Sequence, residues 1–215
     1  TIMNVLRVHA NKISFISLHV LLFAIPFFPI TATSLALCIT LYYLRMFGIT
    51  AGYHRYLSHR SYECKRWVRF ALAWLGCCAM QRGPIWWASR HRDHHRYSDT
   101  ENDPHSPRMC GLWHSHVGWV LKDSDDGDLA NVKDLKKVPE LRWLEEHHWV
   151  PGLCMLVICY LLDGVGGMLW GFVVSTVALY HGTFLVNSVC HIFGGRRFVT
   201  SDDSPPIDAN RRAAP

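Results

Sequence analysis

No C-x-x-C pair occurs in this chain. Its eight cysteines are Cys38, Cys64, Cys77, Cys78, Cys110, Cys154, Cys159 and Cys190. That spacing argues against a zinc ribbon or a disulfide framework and for reduced, mostly buried thiols. A large charge excess of one sign is lacking: 22 Lys and Arg stand against 17 Asp and Glu, a formal net charge of +5 and a pI of about 8.8. No nucleic-acid-binding motif accompanies the basic excess, so nucleic acid is not an expected partner, and the excess fits the cytoplasmic face of a membrane protein. No repeat of fixed period is present. No cleavage-like site follows the first apolar run and a second run follows at once, which argues against a secretory leader. What the chain has is 50% hydrophobic residues, nine Trp and 14 His at a mean hydropathy of only +0.07. That mixture implies apolar spans joined to a polar, histidine-rich face.

Residues 13–30 are almost wholly apolar and about one bilayer crossing long, and residues 31–50 form a second such run. The tight turn between them predicts a helical hairpin. Arg7 and Lys12 precede it and Arg55, Arg60, Lys65, Arg66 and Arg69 follow it, which puts both flanks on the cytoplasmic side. Residues 66–87 are apolar but interrupted by Arg69, Gln81, Arg82 and Pro84, and predict an interfacial helix lying on the membrane. Residues 122–148 are charged and soluble. Residues 149–163 and 165–189, separated at Asp163-Gly164, predict a second hairpin. The expected fold is an all-α integral membrane protein, with four transmembrane helices in two hairpins under a cytosolic histidine-rich helical cap. Residues 1–204 form one membrane domain and 205–215 a disordered tail.

The chain is organised around residues 86–105. If this stretch is helical, His91, His94 and His95 stand at i, i+3 and i+4 and share one face. Neutral imidazole is a common transition-metal ligand, and Asp93, Asp99, Glu101 and Asp103 lie close enough in sequence to orient such ligands. His54 and His59 (HRYLSH) follow the second span, and His191 follows the fourth. On this topology six histidines converge at one membrane face. His19, His105, His114, His116 and His181 suit packing, capping or hydrogen-bonding roles, and His147 and His148 a surface role. Arg90, Arg92 and Arg96 could attract a phosphate or lipid headgroup.

The stretches GITAGYHRYLSHRSYE and GPIWWASRHRDHHRYSDTENDPHSP resemble the first and second histidine boxes of the membrane fatty-acid desaturases of the Δ9, stearoyl-CoA desaturase-like, type. The segments WHSHVGW (113–119) and LVNSVCH (185–191) are similar to family text as well. The resemblance runs from about residue 15 to about residue 200. It implies a histidine-ligated di-iron centre that uses O2 and two electrons to insert a cis double bond into a saturated fatty acyl-CoA or acyl-lipid. It implies cytochrome b5 or ferredoxin as electron donor. It implies a multi-pass protein of the endoplasmic reticulum, a plastid or the bacterial inner membrane. By the same resemblance His54, His59, His91, His94, His95 and His191 are metal ligands and Asn187 holds a water at the metal; Asp103, from its chemistry, could orient the ligand rings. By the resemblance Trp87 lines the acyl tunnel and Thr183 lies near its bend; Arg92, by its charge, is the candidate substrate contact. The family's third box, another H-x-x-H-H, has no counterpart, since no histidine follows His191. The resemblance therefore implies an incomplete di-iron centre in this chain. The rival readings are a related membrane hydroxylase and a non-catalytic desaturase homologue acting as partner or regulator.

Overall fold

The computed structural model describes residues 2–97, 100, 103, 106–122 and 129–191, and their side chains except those of 2–8, 108 and 191. Among the described residues every element is helical. The principal helices are α1 (Ile2–Leu21), α2 (Ala32–Phe47), α3 (Arg66–Cys78), α4 (Pro84–Tyr97), α5 (Pro107–Trp113), α6 (Pro139–Glu146), α7 (Trp149–Gly166) and α8 (Ser175–Ser188). Three stretches are long and apolar enough to cross a membrane: His9–Phe27, Ala32–Ser58 and Trp149–Ser188. Their outward faces carry bare apolar side chains, such as Phe23 at 80% and Phe27 at 79% exposure. Such surface is stable against hydrocarbon and unstable in water. Two compact units divide the chain, Thr1–Arg92 with Asp125–Tyr180, and Asp93–Ser124 with His181–Pro215.

The first unit shows why the apolar runs stop where they do. Thr31 caps α2 through a reciprocal pair with Ser34, each side chain taking the other's backbone N–H at 2.9 Å. Thr31 Oγ1 also donates to Asp163 Oδ2 at 2.7 Å, which ties the start of α2 to the end of α7. Asp163 and Gly164 leave helical geometry, Gly164 with φ +56°, so the chain bends where Asp-Gly predicted a break. Beyond the bend the backbone comes so close that a Cβ on Gly167 would lie 2.4 Å from the Cys159 carbonyl oxygen. The single run Trp149–Ser188 is therefore two packed arms.

Two expectations are corrected. The second apolar run does not end near residue 50: α2 continues as a π-helix over Gly48–Ser58. Residues 66–87 are not one interfacial helix. They are α3, whose inner face buries Leu72, Ala73, Gly76, Cys77 and Cys78, then an irregular turn, then α4. Lone charges broke the hydropathy pattern without breaking the helix, because Arg69 reaches out to a partner. Arg69 Nη2 donates to Glu140 Oε1 at 2.6 Å and Arg66 Nε to the same oxygen at 3.1 Å.

Partial burial alone would raise the Glu140 pKa. The hydrogen bond from Arg69, with Glu140's own backbone amide and Arg66, outweighs burial and holds the carboxyl down to about 2. A carboxyl depressed in the folded state stabilises the fold above its unfolded value, here 4.5, and that contribution is lost as pH falls from there toward about 2. Acid titrations followed by circular dichroism are expected to give a shallower loss of stability over that window in Glu140→Gln than in the parent chain. Parallel acid limbs would refute the assignment.

Under the helices the core is continuous. Tyr53, Leu57, Ala73, Cys77, Ala88, Leu141, Leu144 and Leu179 are at most 1% exposed. A second buried feature is polar: Arg45 of α2 is wholly enclosed. Its Nε donates to the Leu41 carbonyl at 3.0 Å, Nη1 to Thr176 Oγ1 at 2.5 Å and to the Cys78 carbonyl at 3.3 Å, and Nη2 to Ser175 Oγ at 2.5 Å. One cation thus joins α2, α3 and α8.

Candidate metal centre

The π-helix explains the H-x-x-x-x-H pair. In an α-helix residues five apart point about 140° away from each other. In a π-helix the hydrogen bond runs i→i+5, and the His59 amide accordingly donates to the His54 carbonyl at 3.0 Å. His59 therefore stacks above His54, and their Nε2 atoms lie 3.0 Å apart. From α4, His91 Nε2 comes to 3.1 Å from His59 Nε2. His95 is one turn further along α4, at i+4. His54, His59, His91 and His95 form a group whose ligating nitrogens all lie within 4.8 Å of one another.

A neutral imidazole has one N–H and one lone pair, so His59 Nε2, 3.0 and 3.1 Å from two other ring nitrogens, cannot satisfy both as a donor. Convergent lone pairs of this kind are what a cation relieves. An all-imidazole set suits iron, zinc or copper better than calcium or magnesium. The residues present thus fit a transition metal.

The supports are specific. The Trp87 indole stacks on His91, with centroids 4.9 Å apart and planes 20° apart, which fixes the imidazole's tilt. Trp87 Nε1 donates to Gln81 Oε1 at 3.4 Å. Glu145 of α6 caps α4, its Oε2 accepting the Ile85 and Trp86 amides at 2.8 and 3.1 Å, where an anion meets the positive end of the helix dipole. A Cβ at position 83 would lie 2.3 Å from that oxygen, so glycine there is required by the cap.

Arg92, whose charge suggested a phosphate or headgroup contact, has these partners within the protein. Its Nη atoms form a fork on Asp134 at 2.9 and 3.0 Å, donate to the Leu57 and Asn131 carbonyls at 2.6 Å each, and its Nε donates to the Ser58 carbonyl at 3.2 Å. Every guanidinium donor is used, and two of the acceptors immediately precede His59. Burial alone would raise the Asp134 pKa, and the hydrogen bond and charge of Arg92, with Arg60, outweigh it and hold the carboxyl below its ordinary value.

The second unit holds the other expected residues. His94 is buried apart from the four-imidazole group and its Nδ1 lies 3.0 Å from Asp103 Oδ1. With an ionised Asp103 as acceptor, Nδ1 carries the proton and Nε2 the lone pair, the arrangement of a carboxylate-oriented metal ligand. His94 thus meets Asp103, while His91 and His95 belong to the four-imidazole group. At the end of α8, Ser115 Oγ donates to the Asn187 carbonyl at 2.9 Å, and His116 Nδ1 lies 3.0 Å from Ser188 Oγ. His116 Nε2 is 3.0 Å from His181 Nδ1, with the rings stacked. The hydrogen-bonding roles expected of His116 and His181 are the ones found. Thr183 lies on α8. The His191 side chain, Asp99, Glu101, His105 and the 205–215 tail lie outside the described residues.

Sequence reasoning missed Glu145, Asn131 and Asp134. Each acts across 39 to 60 residues, with no fixed spacing to reveal it.

The sequence also matches known proteins. The family model for fatty acid desaturase matches residues 30–213. The chloroplastic palmitoyl-monogalactosyldiacylglycerol delta-7 desaturase of Arabidopsis thaliana is 38% identical over 161 residues, covering 73% of this chain and 43% of that protein. Delta-9 acyl-lipid desaturase 2 of the same plant is 37% identical over 192 residues, 87% of this chain and 62% of its own. Icosanoyl-CoA 5-desaturase of Limnanthes douglasii is 36% identical over 199 residues, 89% of this chain and 55% of its own. The chain spans about half the length of these curated relatives.

Proposed function

The chain belongs to the fatty acid desaturase family, and from that premise we propose that it takes part in Δ9-type, O2-dependent desaturation of saturated fatty acyl chains at a di-iron centre. The observation that carries the reading is the convergence of His54, His59, His91 and His95 from a π-helix and α4. His94, oriented by Asp103, and His191 complete the proposed ligand set, with Asn187 beside it. Acyl-lipid and acyl-CoA desaturases both occur among the relatives, so both substrate classes are proposed.

Iron, when bound, supplies the oxidising power toward an unactivated C–H bond that no amino-acid side chain has. The rest is the work of this chain's own residues. Trp87 holds the His91 ring and offers an apolar wall to the acyl chain. Thr183 is proposed on the same tunnel. Arg92 fixes the backbone ahead of His59, so the ligands are pre-positioned before any substrate arrives. Apolar surroundings exclude water. Cytochrome b5 or ferredoxin is the proposed electron donor. Four crossings, with the histidine-bearing ends on the cytoplasmic face, are the proposed topology, supported by the two arms of Trp149–Ser188 and the basic flanks of the first hairpin.

The test counts iron and zinc in the purified chain and maps double bonds formed from saturated acyl-CoA and acyl-lipid with either donor. Iron bound in preference to zinc, with a double bond formed at Δ9, is expected. Iron-independent behaviour, with no double bond from either substrate, would overturn the reading.

A further inference from the structure

The turn between α3 and α4 is strained in a patterned way. Met80 has φ +58° and Arg82 φ +70°, the left-handed region that a residue with a Cβ enters at a cost. Such outliers persist only where surrounding structure holds them, and they cluster at functional sites. Here the holders are explicit. The Tyr180 hydroxyl donates to the Met80 carbonyl at 2.7 Å, and the Tyr53 hydroxyl to the Arg82 carbonyl at 3.1 Å. Both tyrosines are at most 4% exposed. Because the Tyr53 hydroxyl is spent on Arg82, Cys77 Sγ, 3.0 Å away, is the donor in their contact. Each strained residue thus has its own carbonyl seized by a different buried phenol, one from the π-helix and one from α8. Gln81, between them, is the residue that receives the Trp87 N–H. The far end of the turn is fastened by Glu145 on the Ile85 and Trp86 amides. From there Trp87 reaches His91 by stacking.

We infer that residues 80–83 form a strained cradle that sets Trp87 and, through its ring, His91, and that Tyr53 and Tyr180 are positioning residues for the histidine site. A relaxed turn would let Gln81 swing away and the indole tilt, and the imidazole on which it stacks would lose its fixed plane. The metal readout of this inference rests on the desaturase reading; the conformational one does not.

The experiment uses the full chain in detergent with four variants: Tyr180→Phe, Tyr53→Phe, and each combined with an asparagine at the residue it holds, Met80→Asn and Arg82→Asn respectively. Asparagine tolerates the left-handed region far better than methionine or arginine. The first readout is hydrogen exchange of metal-free protein across residues 81–92, the second the affinity for ferrous iron. Each Tyr→Phe change is expected to speed exchange in that segment at least about tenfold and to weaken iron about tenfold, as loss of an outer-shell support does. Exchange in α1 and α2 should hold steady, and the asparagine partner should restore most of both effects. Unchanged exchange and affinity would overturn the inference. So would losses that asparagine does not restore, because tyrosines that merely pack would behave that way. If the parent chain binds no iron, the desaturase reading fails, and the exchange comparison still decides the cradle.

Discussion

His59→Ala is expected to abolish measurable metal binding while leaving the metal-free fold intact. His59 is the shared vertex of the imidazole group, with its Nε2 3.0 Å from that of His54 and 3.1 Å from that of His91. Removing it leaves no pair of ring nitrogens joined through a third. Loss of a mere outer-shell partner weakens a metal by about 10–100-fold, so loss of the central ligand is expected to exceed the upper end of that range. His59 is itself exposed, and substitutions at exposed positions ordinarily change stability by less than about 0.5 kcal/mol. Metal per chain should fall and the melting temperature of the metal-free protein should hold. His147→Ala is the control: that ring stacks on Trp143 at 4.9 Å and bonds its carbonyl, away from the group. Equal metal loss in both variants, or none in His59→Ala, would refute the centre.

The second large effect concerns Arg45, and its size depends on which partner is removed. The double change Ser175→Ala with Thr176→Val leaves a fully buried guanidinium without its two hydroxyl acceptors. An uncompensated buried charge costs about 3–5 kcal/mol. Arg45→Met removes the charge itself. The hydroxyls then still donate within their own helix, Ser175 to the Gly171 carbonyl and Thr176 to the Phe172 carbonyl at 2.6 Å. Replacing a buried ion by an apolar side chain of similar length is often close to neutral, so Arg45→Met should cost less than about 1.5 kcal/mol. Thermal unfolding of the three chains in one detergent orders them. A double mutant more stable than Arg45→Met would show that the cation is not held by those hydroxyls.

Much of this was legible from residue spacing. The apolar runs, the Asp163-Gly164 break and the one-face relation of His91 and His95 all follow from period and composition. Less visible was the backbone. An H-x-x-x-x-H pair does not share a face in an α-helix, and only the i→i+5 bonds of Gly48–Ser58 bring His54 and His59 together. The quoted desaturase motifs identified these residues as partners without saying how the chain brings them side by side. Arg92 shows what spacing hides: its charge alone suggested a headgroup, and the long-range fork on Asp134 left no sequence signature. The tyrosine-held turn was hidden for the same reason, since φ at Met80 and Arg82 is set by hydroxyls 100 and 29 residues away.

The length of the second apolar stretch bears on traffic between phases. Ala32–Ser58 is 27 residues, and at a helical rise of about 1.5 Å it extends up to about 40 Å. The oily interior of a bilayer is only about 30 Å deep. In the proposed topology His54, near the far end of that rod, is carried clear of the leaflet. For the proposed acyl substrate, a site at that height would not meet fatty chains where they dissolve, so each chain would have to be drawn up out of the lipid, and the aqueous side would have direct reach to the imidazoles from above.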